Sequence, residues 1–307
     1  MWKFGLRMLL ASLSVMVLAL LVGHSTPEGR LPVSDAIVGG LQTYTAAKND
    51  SLSTVGARFG IDVRTLAELN GLKPSARLKE GQKLHIDNRH IVLRALDDGI
   101  VINVPQRMLF YFESGKLIAA YPVGVGRRDW PTIPGDFEVL EKETDKTWIV
   151  PESIQEEMAA EGKPVKTRVP PGPNNPLGKY WIRISSVCGI HGTNAPASIY
   201  KFQTHGCIRL TPEDIASLFA QVPIGTPVAI MYEPVLLACL PDGKVYLEVH
   251  PDVYGKAGDP LVTVKQLAAA AGVESMIDWQ QVREIVGARR GLAQELRSSP
   301  KNNLQNP

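Results

Sequence analysis

From residue 91 to residue 231 the chain breaks into short runs of β-branched and aromatic residues, and this limits its fold more than any other feature. The pattern predicts strands over 91–93, 100–104, 108–112, 117–123, 136–140, 180–184, 187–191 and 228–231. Glu113-Ser114-Gly115-Lys116 reads as a hairpin turn between two of them. Two helical patterns interrupt the series, a polar one over 152–160 and one opening at Thr211. In the second, Thr211 suits the N-cap, Pro212 the first helical position and Asp214 an acidic first turn, with Ile215, Leu218 and Phe219 forming an apolar stripe. A Pro-rich loop, 169–176, lies between them. Many short strands with few helices predict a mainly β domain, a mostly antiparallel sandwich or barrel-like core.

A different pattern occupies residues 43–86. A strand at 42–45 precedes Asp50 and Ser51, either of which can cap a helix carrying Leu52, Val55 and Phe59. Gly60 ends that helix, and Asp62 opens another bearing Leu66 and Leu69. Asn70-Gly71 turns the chain, and 81–86 closes the unit as a second strand. The order is β-α-α-β. Beyond residue 233 a strand pair is expected around 243–249, then helices over 263–271 and 278–286, with the last dozen residues disordered.

Lys3 and Arg7 precede an apolar run from Met8 to Val22, the pattern of an export signal. That run is short beside the roughly 20 apolar residues of a membrane span. We therefore expect a signal peptide or signal anchor over 1–25 and a polar linker over 26–40. Lys and Arg number 33 against 31 Asp and Glu, and no basic stripe stands out, so a nucleic-acid partner is not expected. Three cysteines are an odd number for an exported chain, which leaves at least one thiol unpaired or paired between chains.

Cys207 is the thiol with chemistry around it. The chain reads Ile190-His191-Gly192-Thr193 and then Thr204-His205-Gly206-Cys207-Ile208-Arg209-Leu210. A protonated thiol is a poor nucleophile and needs a base or a positive field. His191 lies sixteen positions upstream, a spacing that suits a strand and a returning loop. His205 would share a face with Cys207 in an extended segment. Arg209 adds positive potential or makes a structural ion pair. Three other readings compete: a zinc site of His191, His205 and Cys207, a buried core thiol, and a serine nucleophile among Ser185, Ser186 and Ser198. The zinc set lacks good ligands, and no Gly-x-Ser-x-Gly elbow supports the serine. Strand alternation turns Cys188 to the face opposite His191, so it reads as packing, while His24, His85, His90 and His250 fall outside any cluster.

Two resemblances follow. Tyr44-Thr45, Asp50-Ser51-Leu52, Phe59-Gly60, Leu69-Asn70-Gly71-Leu72 and Glu80-Gly81-Gln82-Lys83-Leu84 resemble a LysM module, which implies binding of peptidoglycan glycan strands by residues 41–87. The His191-Gly192-Thr193 and His205-Gly206-Cys207 blocks, with Trp130 to Phe137 and the Pro170 loop, resemble the L,D-transpeptidases over 90–234. Thr132-Ile133-Pro134-Gly135 departs from that family's usual Thr-Pro-x-Gly order, and Thr204 stands where serine is commoner. The resemblance implies Cys207 as nucleophile and His191 as general base, its ring oriented by the Gly192 carbonyl or a nearby backbone group. It implies a further catalytic part for His205 in polarising the thiol, and an oxyanion surrounded by His205, Gly206 and Cys207 with backbone donors there and at Gly192. Substrate contacts by Thr204 and Arg209 are implied as well. It also implies peptidoglycan stem peptides as donor, and a neighbouring stem, an outer-membrane lipoprotein lysine or water as acceptor. No metal or organic cofactor is implied, and the place of action would be the periplasm. Residues 235–307 form a C-terminal extension.

Overall fold

The computed structural model describes residues 33–299; the expected signal segment, residues 26–32 of the expected linker, His24 and residues 300–307 lie outside them. The N-terminal module runs β1 (Leu41–Thr45), α1 (Leu52–Phe59), α2 (Val63–Leu69) and β2 (Lys83–Asp87), with β1 and β2 antiparallel. Ser51 and Thr54 cap α1 reciprocally, each side chain accepting the other's backbone N–H. Gly60 ends α1 in the left-handed region at φ 69°, where a Cβ is costly. Leu52, Val55, Leu66, Leu84 and Ile86 fill the module's interior, and Leu292 from the distant C-terminal region completes it.

The central part contains β3 (Gly99–Asn103), β4 (Met108–Glu113), β5 (Lys116–Pro122), β6 (Gly135–Glu138), β7 (Glu141–Thr144), α3 (Glu152–Ala160), β8 (Tyr180–Arg183), β9 (Gly189–His191), β10 (Phe202–Thr204), β11 (Ile208–Arg209), α4 (Pro212–Gln221) and β12 (Pro227–Met231). One sheet has the order β5-β4-β3-β12-β6, and a second has β7-β8-β9-β11. Most neighbours are antiparallel, but β3 with β12 and β9 with β11 run parallel. Ile100, Ile102, Leu109 and Tyr111 of the first sheet share a core with Ile182, Ile190 and Ile208 of the second, and Ile215 and Leu218 of α4 join it. The content is mainly strand, as the alternation predicted. Strand β9 begins at Gly189 rather than at residue 187, because 185–187 form a bend.

After residue 234 the chain builds a third layer rather than a loose tail. Strands β13 (Val235–Cys239) and β14 (Val245–Val249) pair antiparallel, Gln294–Glu295 adds a third strand, and α5 (Pro260–Ala270) and α6 (Trp279–Ala288) cover them. Leu237, Leu247, Val264, Leu267, Val282 and Ile285 form this core. The expected disorder of the last dozen residues fails for 296–299, since Leu296 is buried and Ser298 bridges Ile277. The end of the expected linker is also tied down. Ser34 bridges Ala238 and its hydroxyl donates to the Val92 carbonyl at 2.7 Å, while Ile37–Val38 pairs with His90–Ile91.

All three parts meet at Glu248. Its carboxylate accepts from Ile91 N–H at 2.6 Å, His90 Nδ1 at 2.7 Å, His250 Nε2 at 2.7 Å and Gln106 Nε2 at 3.2 Å. The other nitrogen of His90 lies 2.8 Å from the carbonyl of Gly60 in the module. Both hydrogen-bond partners of His90, a carboxylate and a carbonyl, are acceptors. Burial raises the Glu248 carboxyl, yet His90 and His250 outweigh it and hold the group at about 2. Burial lowers His250, against the pull of Glu248. His90 and His250, which sequence spacing left isolated, thus belong to one buried group. Among the described residues no helix is long and apolar enough to cross a membrane.

Candidate active site

The parallel pairing of β9 with β11 sets Ile190 beside Ile208 and His191 beside Arg209. Continued one step back, this register brings Gly189 alongside Cys207. Residues His191 and Cys207, sixteen apart in sequence, thereby fall two steps from register on adjoining segments, with a single 3-10 turn at Pro196–Ser198 and β10 forming the return. His191 is buried, and its Nδ1 lies 2.6 Å from the Gly192 carbonyl. A carbonyl only accepts, so Nδ1 carries a proton and Nε2 is the nitrogen left for another partner. The Trp181 indole stacks on the imidazole at 5.6 Å between centroids and 24° between planes. Gly189 allows this approach, because a Cβ there would sit 2.5 Å from the Trp181 ring.

Cys207 is held well below its ordinary thiol value. A hydrogen bond from Cys188 acts most strongly, burial opposes it, and a hydrogen bond and charge attraction from His191 add to it. Cys188 therefore does not face away from the site. Strand alternation failed there because Cys188 precedes β9 and sits after the bend, with its thiol 3.5 Å from the Gly206 carbonyl. Arg209, whose guanidinium burial lowers and Cys207 raises, makes none of the ion pairs among the described residues, and its buried Nε has no hydrogen-bond partner there. It lends positive field to the thiol rather than forming the structural ion pair.

The turn before Cys207 is built from buried hydroxyls. Thr204 is 1% exposed; its Oγ1 donates to the Cys207 carbonyl at 2.6 Å and accepts from Gly206 N–H at 3.1 Å. That side chain is thus spent on the turn, which corrects its expected substrate contact. Gly206 adopts φ 105°, open only to glycine at low cost. Its N–H is taken by Thr204, and the N–H of Gly192 donates to the Tyr180 carbonyl at 3.2 Å. Neither is therefore free for an oxyanion, contrary to expectation. The N–H groups of His205 and Cys207 have no acceptor among the described residues.

His205 is turned to other partners. The φ of Gly206 breaks the extended alternation, and His205 Nε2 lies 2.6 Å from Glu157 of α3, with Trp130 packed on the ring. Glu157 also pairs with Arg127 at 2.7 Å, and Arg127 first, then His205, hold its carboxyl below the usual range. His191, His205 and Cys207 consequently form no ligand cluster; among the described residues the group with ligand spacing is His90, Glu248 and His250, already mutually hydrogen-bonded. Thr132 and Tyr254 escaped the sequence reading. The Thr132 hydroxyl joins Gly126 N–H to the Gly206 carbonyl, at 2.9 Å each. The Tyr254 hydroxyl, from the third layer, donates to the Gly126 carbonyl at 2.6 Å and accepts from Thr132 N–H at 3.1 Å. The altered Thr132-Ile133-Pro134-Gly135 order was the available signal for Thr132; nothing local marks Tyr254.

A family model for the L,D-transpeptidase catalytic domain matches residues 97–230, and one for the LysM domain matches 44–87. The probable L,D-transpeptidase ErfK/SrfK of Salmonella typhimurium is 34% identical over 228 residues, 71% of this chain and 72% of that protein. The chain belongs to the L,D-transpeptidases. The probable L,D-transpeptidase YbiS of Escherichia coli is 35% identical over 219 residues, 70% of this chain and 71% of its own. The probable L,D-transpeptidase YcfS of Escherichia coli is 28% identical over 280 residues, 87% of each chain. A match that long necessarily takes in the LysM module, the catalytic domain and the first strands of the third layer. This L,D-transpeptidase is a cysteine-dependent enzyme of cell-envelope peptidoglycan, with a peptidoglycan-binding LysM module ahead of its catalytic domain.

Proposed function

We propose that Cys207 is the acyl-carrying nucleophile and His191 its proton carrier. One observation carries the assignment: the Gly192 carbonyl fixes a proton on Nδ1 of His191, so Nε2 exchanges the catalytic proton with the sulfur. In the resting pair the proton sits on Nε2 and the sulfur is a thiolate, which matches the lowered value of Cys207. The thiolate adds to the carbonyl of the third stem residue, at its L-centre. His191 protonates the departing D-alanine nitrogen, and a thioester remains on Cys207. The neutral imidazole then removes a proton from the incoming amine as the amine displaces the thiolate, which restores the pair. The free N–H groups of His205 and Cys207 are the donors for the oxyanion formed in both steps.

The acceptor amine is a diaminopimelate side chain of a neighbouring stem or a lysine of an envelope lipoprotein; water in its place gives an L,D-carboxypeptidase. The LysM module raises the local concentration of glycan strands at the catalytic domain. An N-terminal signal over 1–25 accounts for export to the periplasm. Intact-mass analysis after incubation with disaccharide-tetrapeptide tests the assignment: Cys207 should carry the acyl group, and Cys207→Ala none. An adduct of unchanged yield in Cys207→Ala would end it. Muropeptide profiles after expression separate stem cross-links, lipoprotein attachment and trimming.

A further inference from the structure

The described residues hold three free cysteines, and two of them converge on one point. Cys239 lies in β13, in the separate core of the third layer. Cys188 packs with the catalytic core, and its Sγ lies 3.5 Å from the carbonyl of Gly206, the residue joined directly to Cys207. Neighbouring strands lie about 4.8 Å apart, and disulfides span Cα separations of roughly 4.4–6.8 Å. Carried two steps back, the parallel register of Ile190 with Ile208 sets Cys188 beside Gly206, so the two cysteines lie on adjoining segments one step out of register.

We propose that Cys188 is a resolving thiol, so that oxidation of Cys207 ends in an intramolecular Cys188–Cys207 disulfide instead of an irreversible acid. The inactivating consequence rests on Cys207 being the nucleophile; the disulfide itself does not. The oxidant is a peroxide. The Cys207 thiolate attacks one peroxide oxygen, the O–O bond breaks, and the departing oxygen takes the proton from His191. Cys207 is then a sulfenic acid. The Cys188 sulfur attacks the sulfenyl sulfur, the S–O bond breaks, and the leaving hydroxide takes the Cys188 proton and departs as water. Two thiols have lost two electrons and two protons, and hydrogen peroxide has become two waters. A dithiol returns the electrons by thiol–disulfide exchange and is itself oxidised to a disulfide.

The two sulfurs are suited to unequal roles. Cys207 is held toward the thiolate, the form that peroxides attack, while Cys188 is pushed up by its hydrogen bond to Cys207 and by burial, and so keeps its proton until a sulfenyl sulfur is beside it. Without a partner thiol, sulfenic acid proceeds to sulfinic acid, which ordinary dithiols do not reverse.

The test uses the full chain, treated with hydrogen peroxide, quenched, alkylated and mapped without reductant. The expected result is a loss of two hydrogens, a peptide linking Cys188 to Cys207, and Cys239 still open to alkylation. Acyl-adduct formation should vanish and return with dithiothreitol. In Cys188→Ser, Cys207 should advance to sulfinic acid, and adduct formation, measured against the same variant untreated, should not return. Sulfinic acid on Cys207 of the wild-type chain, with Cys188 alkylatable, would overturn the resolving thiol and leave the nucleophile assignment standing. A Cys188–Cys207 disulfide with undiminished adduct formation would overturn the inactivation and the nucleophile assignment together.

Discussion

Thr204 shows how much of this site depends on single side chains that never meet substrate. Its hydroxyl accepts from Gly206 and donates to the Cys207 carbonyl, so it sets where the nucleophile's backbone lies. Thr204→Val keeps the volume but loses both bonds and is expected to lower kcat/KM about 100-fold, the scale of a displacement near 1 Å, while Thr204→Ser retains most activity. Steady-state kinetics on a tetrapeptide substrate decides between them. The pH profile probes the same neighbourhood. Because Cys188 and His191 hold the Cys207 thiol well down, acylation should persist at pH values below the ordinary thiol range near 8.5. Removing the Cys188 hydrogen bond raises the Cys207 value, so Cys188→Ala should move the acid limb of kcat/KM to higher pH. A limb that stays in place would show that His191 alone sets the ionisation. At this scale the motif made Cys207 and His191 legible, because two His-Gly blocks name their chemistry. Cys188 was not, since its orientation depends on a bend that alternation does not encode.

Among the elements, α3 is held over the turn by one acidic side chain. Glu157 joins His205 to Arg127. Elsewhere α3 buries no residue, so this clamp is its chief tie to the site. Glu157→Gln is expected to increase amide hydrogen exchange across 152–160 with little change at β9, a difference that exchange mass spectrometry resolves. The bounds of α3 and the caps of α1, α2 and α4 could be read from sequence, because capping is local: Ser51, Asp62 and Thr211 each accept from an N–H two or three residues on. Ser51→Ala should cost about 1 kcal/mol in chemical denaturation. What could not be read was partnership between elements. The β9–β11 register and the seat of α3 depend on packing over long sequence distances, where a periodic pattern carries no address.

In the whole molecule, the module, the central sheets and the third layer are joined by a buried charge group. Glu248 is more than 150 positions from His90 and meets it only after folding, so spacing could not reveal the pair. Breaking a buried pair typically costs about 3–5 kcal/mol, and Glu248→Gln should lose stability on that scale in equilibrium unfolding. The sign with pH follows from the lowered values of both groups. The native Glu248 carboxyl lies near 2, below roughly 4.3 for an unfolded glutamate, so its contribution is present above the unfolded value and lost as pH falls toward 2. His250, also lowered, must take up a proton on unfolding in acid and adds to the same loss. Thermal melts from neutral pH downward should therefore show a falling midpoint, flattened in Glu248→Gln. The third layer, which sequence described only as an extension, reaches the catalytic turn through the Tyr254 hydroxyl. The family match ends at residue 230. An expression fragment cut there forfeits the phenol that props the Gly126 and Thr132 backbones, and it bares the apolar side of the first sheet on which Leu236 and Tyr246 rest. The minimal working enzyme accordingly extends well past the family-matched residues 97–230, and truncation studies should begin from the far terminus inward.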